Sequence, residues 1–575
     1  GGPTRSPRQR RRHLLELNAS VAGGRLRVDW HYSANRHERA TVEAWAAAFV
    51  EALRSLVAHC LSAEAGGYTP SDFPLAGLDQ GQIDRMVGRE RGVEDIYPLS
   101  PIQQGLLFHS LYAPEEELYF LQTCCTLRGA LDLPAFERAW QMVAARHPVL
   151  RTGFVWEGLA EPLQVVRASA ALPVEAHDWR DVPAELLGER LRSFYAEDRA
   201  RGFDLTRGPM MRLSLLRTGE DAHEVVWSHH HLIVDGWSCP LLLRECLTLY
   251  ESLRRGEPSP LPRSRPYRDY IEWLRRQDLA AAERHWRELL KGFTAPTRVA
   301  RGAAADPPES YGEQRRQLSE AATSAVQTYA RRNKLTLNTV TLGAWAAVIG
   351  HLSGDEDVVF GTAVAGRPAT LAGVERMVGV FINMLPLRAR LAPDAPVASW
   401  LGGLQEQQLR MQQFEYSPLV RVQEWSDVPG GLPLFENFLV FENYWIGDGA
   451  PQGVRASLQV SDVRHLGREN YPLSVVVAPS SELTLKVKYN DPRLGARAAA
   501  RILRRLEEAL VAIAGRPGLG LRELRELLTE AEREEQAAEE RKLREAQRQS
   551  FRRARRKAIG GAQAEETAHY EESTT

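Results

Sequence analysis

A strand–turn–strand–helix pattern occurs near both ends of this sequence, and its recurrence constrains the possible domain arrangement more than any other feature. Residues 13–60 read as a strand, a glycine-rich turn, a second strand and a helix, and residues 470–515 repeat that order. Tyr32 and Tyr489 occupy matching positions at the ends of the second strands. The two copies are much farther apart than any solenoid period. Unless two such units are alike by chance, residues 1–66 are the end of one domain, and a second, related domain ends after the second copy.

Composition argues against a nucleic-acid-binding function. The chain has 575 residues, of which 43% are hydrophobic and 26% charged, as in ordinary soluble proteins. That length allows several domain-sized units. The formal net charge of −1 does not indicate a strongly basic nucleic-acid surface.

The sequence also predicts the cellular location of the protein and the chemical state of its cysteines. No uninterrupted apolar run approaches the ~20 residues that cross a bilayer. The basic N-terminus lacks the apolar core of a signal peptide, so we expect a cytoplasmic protein. Because the sequence does not begin with Met, we also expect a piece of a longer polypeptide. No cysteine spacing matches a zinc site, and reduced thiols without a metal or redox role are expected at Cys60, Cys124, Cys125, Cys239 and Cys246.

The middle of the chain alternates helical patterns with short apolar strands, which predicts an α/β sandwich of two lobes. We place the first lobe at residues 95–278 and the second at residues 279–525. A turn-rich linker is expected over residues 67–94. Residues 526–575 predict a charged helical linker that becomes disordered after Gly560, although a docking helix for another protein is an alternative.

Three consecutive histidines end an apolar strand, and they are followed by an Asp-Gly turn. Alternation along the strand predicts that His229 and His231 face one way and His230 the other. Metal binding is disfavoured because adjacent strand residues diverge and no Cys or carboxylate cluster completes a ligand set. A neutral imidazole can instead take a proton near neutral pH, which is the role of a general base. The sequence contains no GxSxG nucleophile elbow, the motif that would favour an acyl-enzyme intermediate. Asp235 could bind an arginine and hold the loop, and Gly236 would let a substrate arm pass close to the backbone.

The HHxxxDG spacing and several further motifs, in the same order, resemble condensation domains of nonribosomal peptide synthetases. The resemblance covers residues from about 95 to 525. The supporting motifs are LSPIQQG at residues 99–105, RHPVLRTGF at 146–154, FDL with GP at 203–209, YRDYIEW at 267–273 and GVFINMLPLR at 379–388. Pro148 stands where the family usually has Glu. Each motif is weak alone, and the ordered set is specific.

The resemblance implies a fold, a reaction and roles for individual residues. The fold would be two chloramphenicol-acetyltransferase-like lobes in a V arrangement. The domain would form an amide bond between a carrier-bound donor thioester and the amine of a carrier-bound L-aminoacyl acceptor. His231 would be catalytic, His230, Asp235 and Gly236 would support the site, and Arg151 would be the salt-bridge partner of Asp235.

The family implies no metal and no dissociable cofactor, since both substrates arrive on phosphopantetheine arms of carrier domains. We expect donor and acceptor carriers, an upstream epimerization module and a downstream adenylation module as partners. The segment before residue 66 resembles the end of an epimerization domain, which implies a donor ending in a D-residue. Trp273 is expected to pack rather than react.

Other functions of this superfamily are less consistent with the sequence. A non-catalytic, condensation-like interface domain that recruits a tailoring enzyme or a carrier is the main alternative, and the presence of His231 argues against it. No EGHGRE-like motif indicates epimerization by the main domain. Neither the DxxxxD motif of cyclization domains nor the DFGWG motif of plant-type acyltransferases is found.

Overall fold

A two-stranded antiparallel hairpin and a long helix form the beginning of the first of two units, residues 1–93 and 94–575, in the computed structural model. The structure describes residues 13–62, 66–88, 92–299, 311–442, 457–490 and 494–572. Strands β1 (Leu15–Ala22) and β2 (Arg25–Tyr32) pair along their whole length, and helices α1 (Arg39–Leu61) and α2 (Gln80–Met86) follow. Gly23 and Gly24 form the turn with φ angles of 57° and 73°, a conformation that glycine adopts without strain. The predicted strand–turn–strand–helix order is therefore present, and α2 lies within the stretch predicted as a linker.

The second unit alternates strands and helices along the chain. Its strands are β3 (Val93–Pro98), which begins at the unit boundary, β4 (Phe120–Arg128), β5 (Thr152–Val155), β6 (Leu163–Arg167), β7 (Val174–Asp178), β8 (Met211–Gly219), β9 (Ala222–His230), β10 (Gly312–Gln317), β11 (Asp357–Val364), β12 (Asn383–Arg390), β13 (Asn437–Phe441), β14 (Gln459–Gly467), β15 (Leu473–Ala478) and β16 (Thr484–Tyr489). Its helices are α3 (Pro101–Tyr112), α4 (Leu133–Arg146), α5 (Ala184–Ala200), α6 (Ser238–Arg255), α7 (Arg268–Leu274), α8 (Leu279–Leu290), α9 (Glu320–Arg332), α10 (Leu337–Ser353), α11 (Val397–Met411), α12 (Leu419–Glu424), α13 (Ala496–Gly515) and α14 (Leu521–Glu572).

The first lobe is built on a five-stranded sheet with the order β14-β4-β9-β8-β7, and β3, β6 and β5 form a smaller sheet. Strand β14 comes from residues 459–467 yet pairs antiparallel with β4, with Gly467 opposite Leu121. The predicted division into lobes at residues 95–278 and 279–525 therefore has an exception, because one strand of the second segment completes the sheet of the first lobe. Periodicity reports which residues form a strand, but it does not report which edge that strand joins.

The second lobe is built on a six-stranded sheet with the order β10-β16-β15-β13-β11-β12. Helix α10 lies in its core and is apolar on all sides, with Thr336 capping its first turn through the backbone N–H of Thr339 at 3.0 Å. Trp345, in the same helix, is fully buried and donates its indole N–H to Asn437 Oδ1 at 3.1 Å. The predicted mixed α/β architecture is confirmed.

The C-terminal charged segment is one long helix, α14. Its first turns bury Leu521, Leu524 and Leu528 against the second lobe. Composition predicted disorder after Gly560, whereas the helix continues to Glu572. Alanine and glutamate, both strong helix formers, dominate the residues that follow the glycine pair.

One described helix, α1, is long and apolar enough to cross a membrane by length and composition, and α9 with α10 would qualify only as one bent span. Core helices of soluble proteins pass the same test, and α10 is such a core helix. The five cysteines form no disulfide. Burial raises the pKa of the Cys125 thiol to about 12, which keeps this thiol protonated and unreactive. Among the described residues no His, Cys, Asp or Glu group could hold a metal ion.

Candidate active site

The histidine strand, β9, lies in the middle of the first lobe's sheet between β4 and β8. It ends at His230, and the backbone N–H of His231 donates to the carbonyl of Tyr119 at 2.9 Å as the chain leaves the sheet. His229 and His231 line a large cavity, whereas His230 does not. The alternation predicted from the sequence therefore holds.

The orientation of His231 is fixed by its own loop. Its Nδ1 lies 2.9 Å from the carbonyl oxygen of Val234, which can only accept, so Nδ1 carries the proton. In the neutral ring Nε2 then has a free lone pair. No described residue hydrogen-bonds to this nitrogen, and His231 is only half-buried. This histidine can accept a proton from a group bound in the cavity.

His230 is built into the fold instead. Its Nδ1 accepts the backbone N–H of Leu232 at 3.2 Å, and its Nε2 lies 3.4 Å from Ser110 Oγ. Burial, with a smaller contribution from His231, lowers the pKa of His230 to about 3. The ring is therefore neutral at pH 7 and holds the turn that presents His231.

Asp235 is fully buried and joins the two lobes. Its Oδ1 accepts the backbone N–H of Ser238 at 2.8 Å, and its Oδ2 accepts the backbone N–H of Phe381 at 3.0 Å. Helix α6 begins at Ser238, and its N-cap residue, Trp237, makes no side-chain cap hydrogen bond, so the Asp235 carboxylate accepts the first backbone N–H of the helix. The Nη2 atom of Arg367 lies 3.3 Å from Asp235 Oδ1 and supplies the positive charge.

The predicted pairing of Asp235 with Arg151 is wrong. Arg151 is also buried, but its Nη1 pairs with Glu94 at 2.8 Å and its Nε donates to the carbonyl of Ala144 at 3.2 Å. It therefore connects elements within the first lobe. The arginine beside Asp235 is Arg367, which follows β11 of the second lobe and lies far away in the sequence. A strand followed by Gly366-Arg367-Pro368 was the available signal, and nothing local in it points to Asp235.

The segment around Gly379 brings the second lobe against the histidine loop. The Ser238 hydroxyl donates to the carbonyl of Gly379 at 3.0 Å, and Asp235 N–H donates to the same carbonyl at 3.1 Å. Gly379 has a φ of 158°, and a Cβ there would lie 2.2 Å from Cδ2 of Tyr267. Only glycine fits between the tyrosine ring and the loop.

The cavity has a volume of about 1160 Å³ and lies between the sheets of the two lobes. Gly236 and His231 line it. The two sheets contribute lining side chains from both sides, among them Thr123, Trp227, Thr362, Val440, Val476 and Lys488. Trp273 is not among the lining residues. It stacks on Tyr270 and donates its indole N–H to Thr370 Oγ1 at 3.1 Å, as expected for a packing residue.

One carboxyl group in the cavity was not predicted from the sequence. Glu415 lines the cavity and accepts the backbone N–H of Gly366 at 3.1 Å. Burial raises the pKa of Glu415 to about 7, and the hydrogen bond from Gly366 lowers it by less. The group titrates near neutral pH, and no pattern around QFEYS in the sequence indicates this burial.

Comparison with known proteins shows the family of this chain. The family model described as Condensation domain matches residues 93–537. The chain belongs to the condensation domain family. The family predicted from the ordered motifs is therefore confirmed. Condensation domains of nonribosomal peptide synthetases catalyse peptide bond formation, which is the predicted enzyme class.

The relatives are very large synthetases. This chain is 44% identical over 529 residues to one of the linear gramicidin synthase proteins of Brevibacillus parabrevis, with 91% of this chain and 7% of that protein covered. It is 35% identical over 582 residues to chondramide synthase cmdD of Chondromyces crocatus, with 93% and 15% covered. The condensation domain thus spans a small part of the length of these relatives.

Solved structures confirm the two-lobe fold. The first condensation domain of the calcium-dependent antibiotic synthetase, in complex with a substrate analogue, matches with a TM-score of 0.63 at 19% identity, covering 74% of this chain and 98% of that one. The condensation domain from Monacolin K polyketide synthase MokA matches with a TM-score of 0.64 at 20% identity, covering 75% and 100%.

Proposed function

We propose that this condensation domain joins a carrier-bound donor thioester to the amine of a carrier-bound L-aminoacyl acceptor, with His231 as the catalytic residue. The observation that carries the proposal is the hydrogen bond from His231 Nδ1 to the Val234 carbonyl, which makes Nε2 the nitrogen of the neutral ring that can accept a proton in the cavity.

The reaction needs only this imidazole and two tethered substrates. The acceptor amine attacks the thioester carbonyl carbon, so a C–N bond forms and the C–S bond breaks. Nε2 of His231 takes the proton that the amine loses, and the departing thiolate receives it. Holding both substrates in one enclosed cavity replaces a bimolecular encounter by an oriented one, which supplies much of the rate enhancement.

The supporting residues position the base. Asp235, paired with Arg367, fixes the loop that carries His231 and connects it to Phe381 of the second lobe. Arg151 has no part in this pairing, and its proposed role is confined to holding the first lobe together. Gly236, which lines the cavity, would let a substrate arm pass close to the backbone.

The size of the cavity supports delivery of both substrates on flexible arms. A volume of about 1160 Å³ exceeds what the two reacting residues alone would fill. We assign the two substrates to phosphopantetheine arms of a donor and an acceptor carrier domain, with no further cofactor. The other partners in this proposal are an upstream epimerization module and a downstream adenylation module, acting in the cytoplasm.

The donor is proposed to end in a D-residue. Residues 13–60 resemble the end of an epimerization domain, and the structure gives them the same strand–turn–strand–helix order as residues 470–515. In this domain map residues 1–66 end the upstream domain, 67–94 form a linker, and 526–575 form a helical linker after the two lobes.

A carrier-loaded assay tests the function. The protein is incubated with a D-terminated or L-terminated donor thioester and an acceptor thioester, and the amide product is quantified for the wild type and for His231→Ala. We expect the wild type to prefer the D-donor, and we expect the variant to lose at least about 100-fold in rate, the low end of a general base contribution. Equal rates for the two proteins would contradict the role of His231, and a preference for the L-donor would contradict the stereochemistry. No product with any donor would favour the non-catalytic interface domain.

A further inference from the structure

Part of the cavity wall carries polar side chains that the proposed reaction does not use. His465, Glu469 and Lys488 line the same cavity as His231. The Nε2 atom of His465 and the Oε2 atom of Glu469 are buried, and neither has a hydrogen-bond partner among the described residues. Buried polar atoms are nearly always satisfied, so two unsatisfied atoms on side chains that line one cavity make these side chains candidates for contact with a bound substrate.

Glu469 lies within reach of the reaction centre. The N–H of His231 donates to Tyr119 O at 2.9 Å, and the N–H of Tyr119 donates to Arg468 O at 3.1 Å. Glu469 follows Arg468, so its backbone is two strand spacings from His231, roughly 10 Å. The side chain of a residue reacting at His231 could span that distance.

His465 is on the same wall. It lies opposite Thr123 on β4, which in turn lies opposite Trp227 on β9, and cross-strand partners share a face of the sheet. Its Nδ1 is 3.1 Å from the Thr123 hydroxyl, which can donate or accept. If the Thr123 hydroxyl donates to Nδ1, Nε2 of the neutral ring carries the proton and can donate to a ligand. If the hydroxyl accepts from Nδ1, Nε2 can accept a hydrogen bond from a ligand.

The charges of Glu469 and Lys488 limit which substrate groups can bind beside them. Lys488 Nζ lies 3.6 Å from Glu469 Oε1, so the carboxylate is partly neutralised on one side and can accept a hydrogen bond at Oε2. A substrate cation would be repelled by Lys488, and a substrate carboxylate would be repelled by Glu469. An uncharged N–H or O–H donor satisfies Glu469 without either penalty.

We propose that His465 and Glu469 form a recognition subsite for an uncharged N–H or O–H group of one of the two thioester substrates. This inference rests on the proposed function for the identity of the substrates. Two sources can supply the same chemistry, namely a side chain such as a hydroxyl, carboxamide or indole, and an amide of the pantetheine arm.

Binding of unreactive analogues tests the subsite without catalysis. Aminoacyl thioethers are prepared on pantetheine and on ethanethiol, which has no amide, in pairs that differ by one donor group: threonine and valine, asparagine and leucine, tyrosine and phenylalanine. Dissociation constants are measured by calorimetry for the wild type, Glu469→Ala, Glu469→Gln and His465→Phe. Glu482→Ala, at an exposed position that does not line the cavity, is the matched control.

If a side chain occupies the subsite, the wild type binds the polar member of at least one pair about tenfold more tightly, as expected for a hydrogen bond to a charged group. Glu469→Ala then removes that preference and leaves the affinity for the apolar member within twofold. If the pantetheine arm occupies the subsite, Glu469→Ala weakens the binding of every pantetheine analogue equally and leaves the binding of the ethanethiol analogues unchanged. The proposal is overturned if Glu469→Ala and His465→Phe, folded by circular dichroism, change neither the pair preferences nor the pantetheine affinity.

Failure of the proposed function and failure of the subsite would give different results. If the wild type binds these analogues with the expected preference but forms no amide, the subsite stands and the catalytic assignment fails. If it forms amide normally and shows no Glu469-dependent preference or arm affinity, only the subsite fails.

Discussion

Arg367 Nη2 lies 3.3 Å from Asp235 Oδ1, and this contact joins the histidine loop of the first lobe to the second lobe. Both side chains are buried, with 4% and 0% exposed. Asp235 also accepts two backbone N–H groups, from Ser238 and Phe381, so its charge is compensated from both lobes. The arrangement holds the loop that presents His231 and does not itself contact the reacting atoms.

We expect Arg367→Ala to destabilise the protein by about 3–5 kcal/mol, because Asp235 would remain buried without its counter-charge. Chemical denaturation measures the loss. A double-mutant cycle separates this pair from the one predicted from the sequence. Asp235→Asn and Arg367→Met should couple by about 1–3 kcal/mol, whereas Asp235→Asn and Arg151→Met should be additive within about 0.5 kcal/mol. Coupling only to Arg151 would contradict the pairing.

Gly379→Ala should destabilise the protein by about 1–3 kcal/mol, the usual cost of overpacking. The added Cβ would meet the ring of Tyr267 at 2.2 Å, and this residue also bonds to Ser238 at the start of α6. Gly402→Ala is the control, since nothing lies within 4 Å of a Cβ at this position inside α11. That variant should gain up to about 1 kcal/mol from helix propensity. Thermal melts of both proteins provide the comparison, and a neutral Gly379→Ala would be inconsistent with the close approach.

Glu535 shows that the first part of α14 belongs to the folded second lobe. It pairs with Arg505 at 2.7 Å and with Arg504 at 2.6 Å, and the Arg505 side chain is only 4% exposed. We expect Glu535→Gln to cost about 1–3 kcal/mol, because hydrogen bonds to a buried charged group are weakened. Glu540→Gln, whose pair with Arg544 is exposed on both sides, should change stability by less than about 0.5 kcal/mol. Equal effects in urea denaturation would place the end of the domain before Glu535.

Local patterns predicted local structure well. The strand periods predicted the alternation of His229, His230 and His231, and the strand–turn–strand–helix pattern of residues 13–60 coincides with β1, β2 and α1. Each of these features depends on neighbouring residues in the chain, which is what periodicity records.

Long-range pairing could not be predicted in the same way. The arginine that pairs with Asp235 comes from another lobe, and β14 joins a sheet whose other strands precede it by hundreds of residues. The buried Glu415 was also missed, because burial of a carboxyl group depends on the elements packed around it. The sequence therefore identified a histidine that lines the cavity, His231, but not the partners that hold its loop.

Stability should fall between pH 7.5 and pH 5.5. Burial lowers the pKa of His229 and His230 to about 3 and that of His465 to about 4, so the folded protein keeps these rings neutral. The unfolded chain takes up protons below about pH 6.5, the ordinary value, so each of these histidines should cost about 1 kcal/mol of stability over this range. Glu415 acts in the opposite direction. Its raised pKa, about 7, means that the folded state binds a proton that the unfolded state releases, so acidification strengthens this contribution by a similar amount.

Two substitutions with opposite expected effects test this balance. His465→Gln should reduce the loss of unfolding free energy between the two pH values by about 1 kcal/mol, and Glu415→Gln should increase it by a similar amount. Urea denaturation, followed by tryptophan fluorescence, gives the free energy of unfolding of each variant and of the wild type at pH 7.5 and at pH 5.5. A shift of the same sign for His465→Gln and Glu415→Gln would mean that the two groups are not held in opposite protonation states by their burial in the cavity wall.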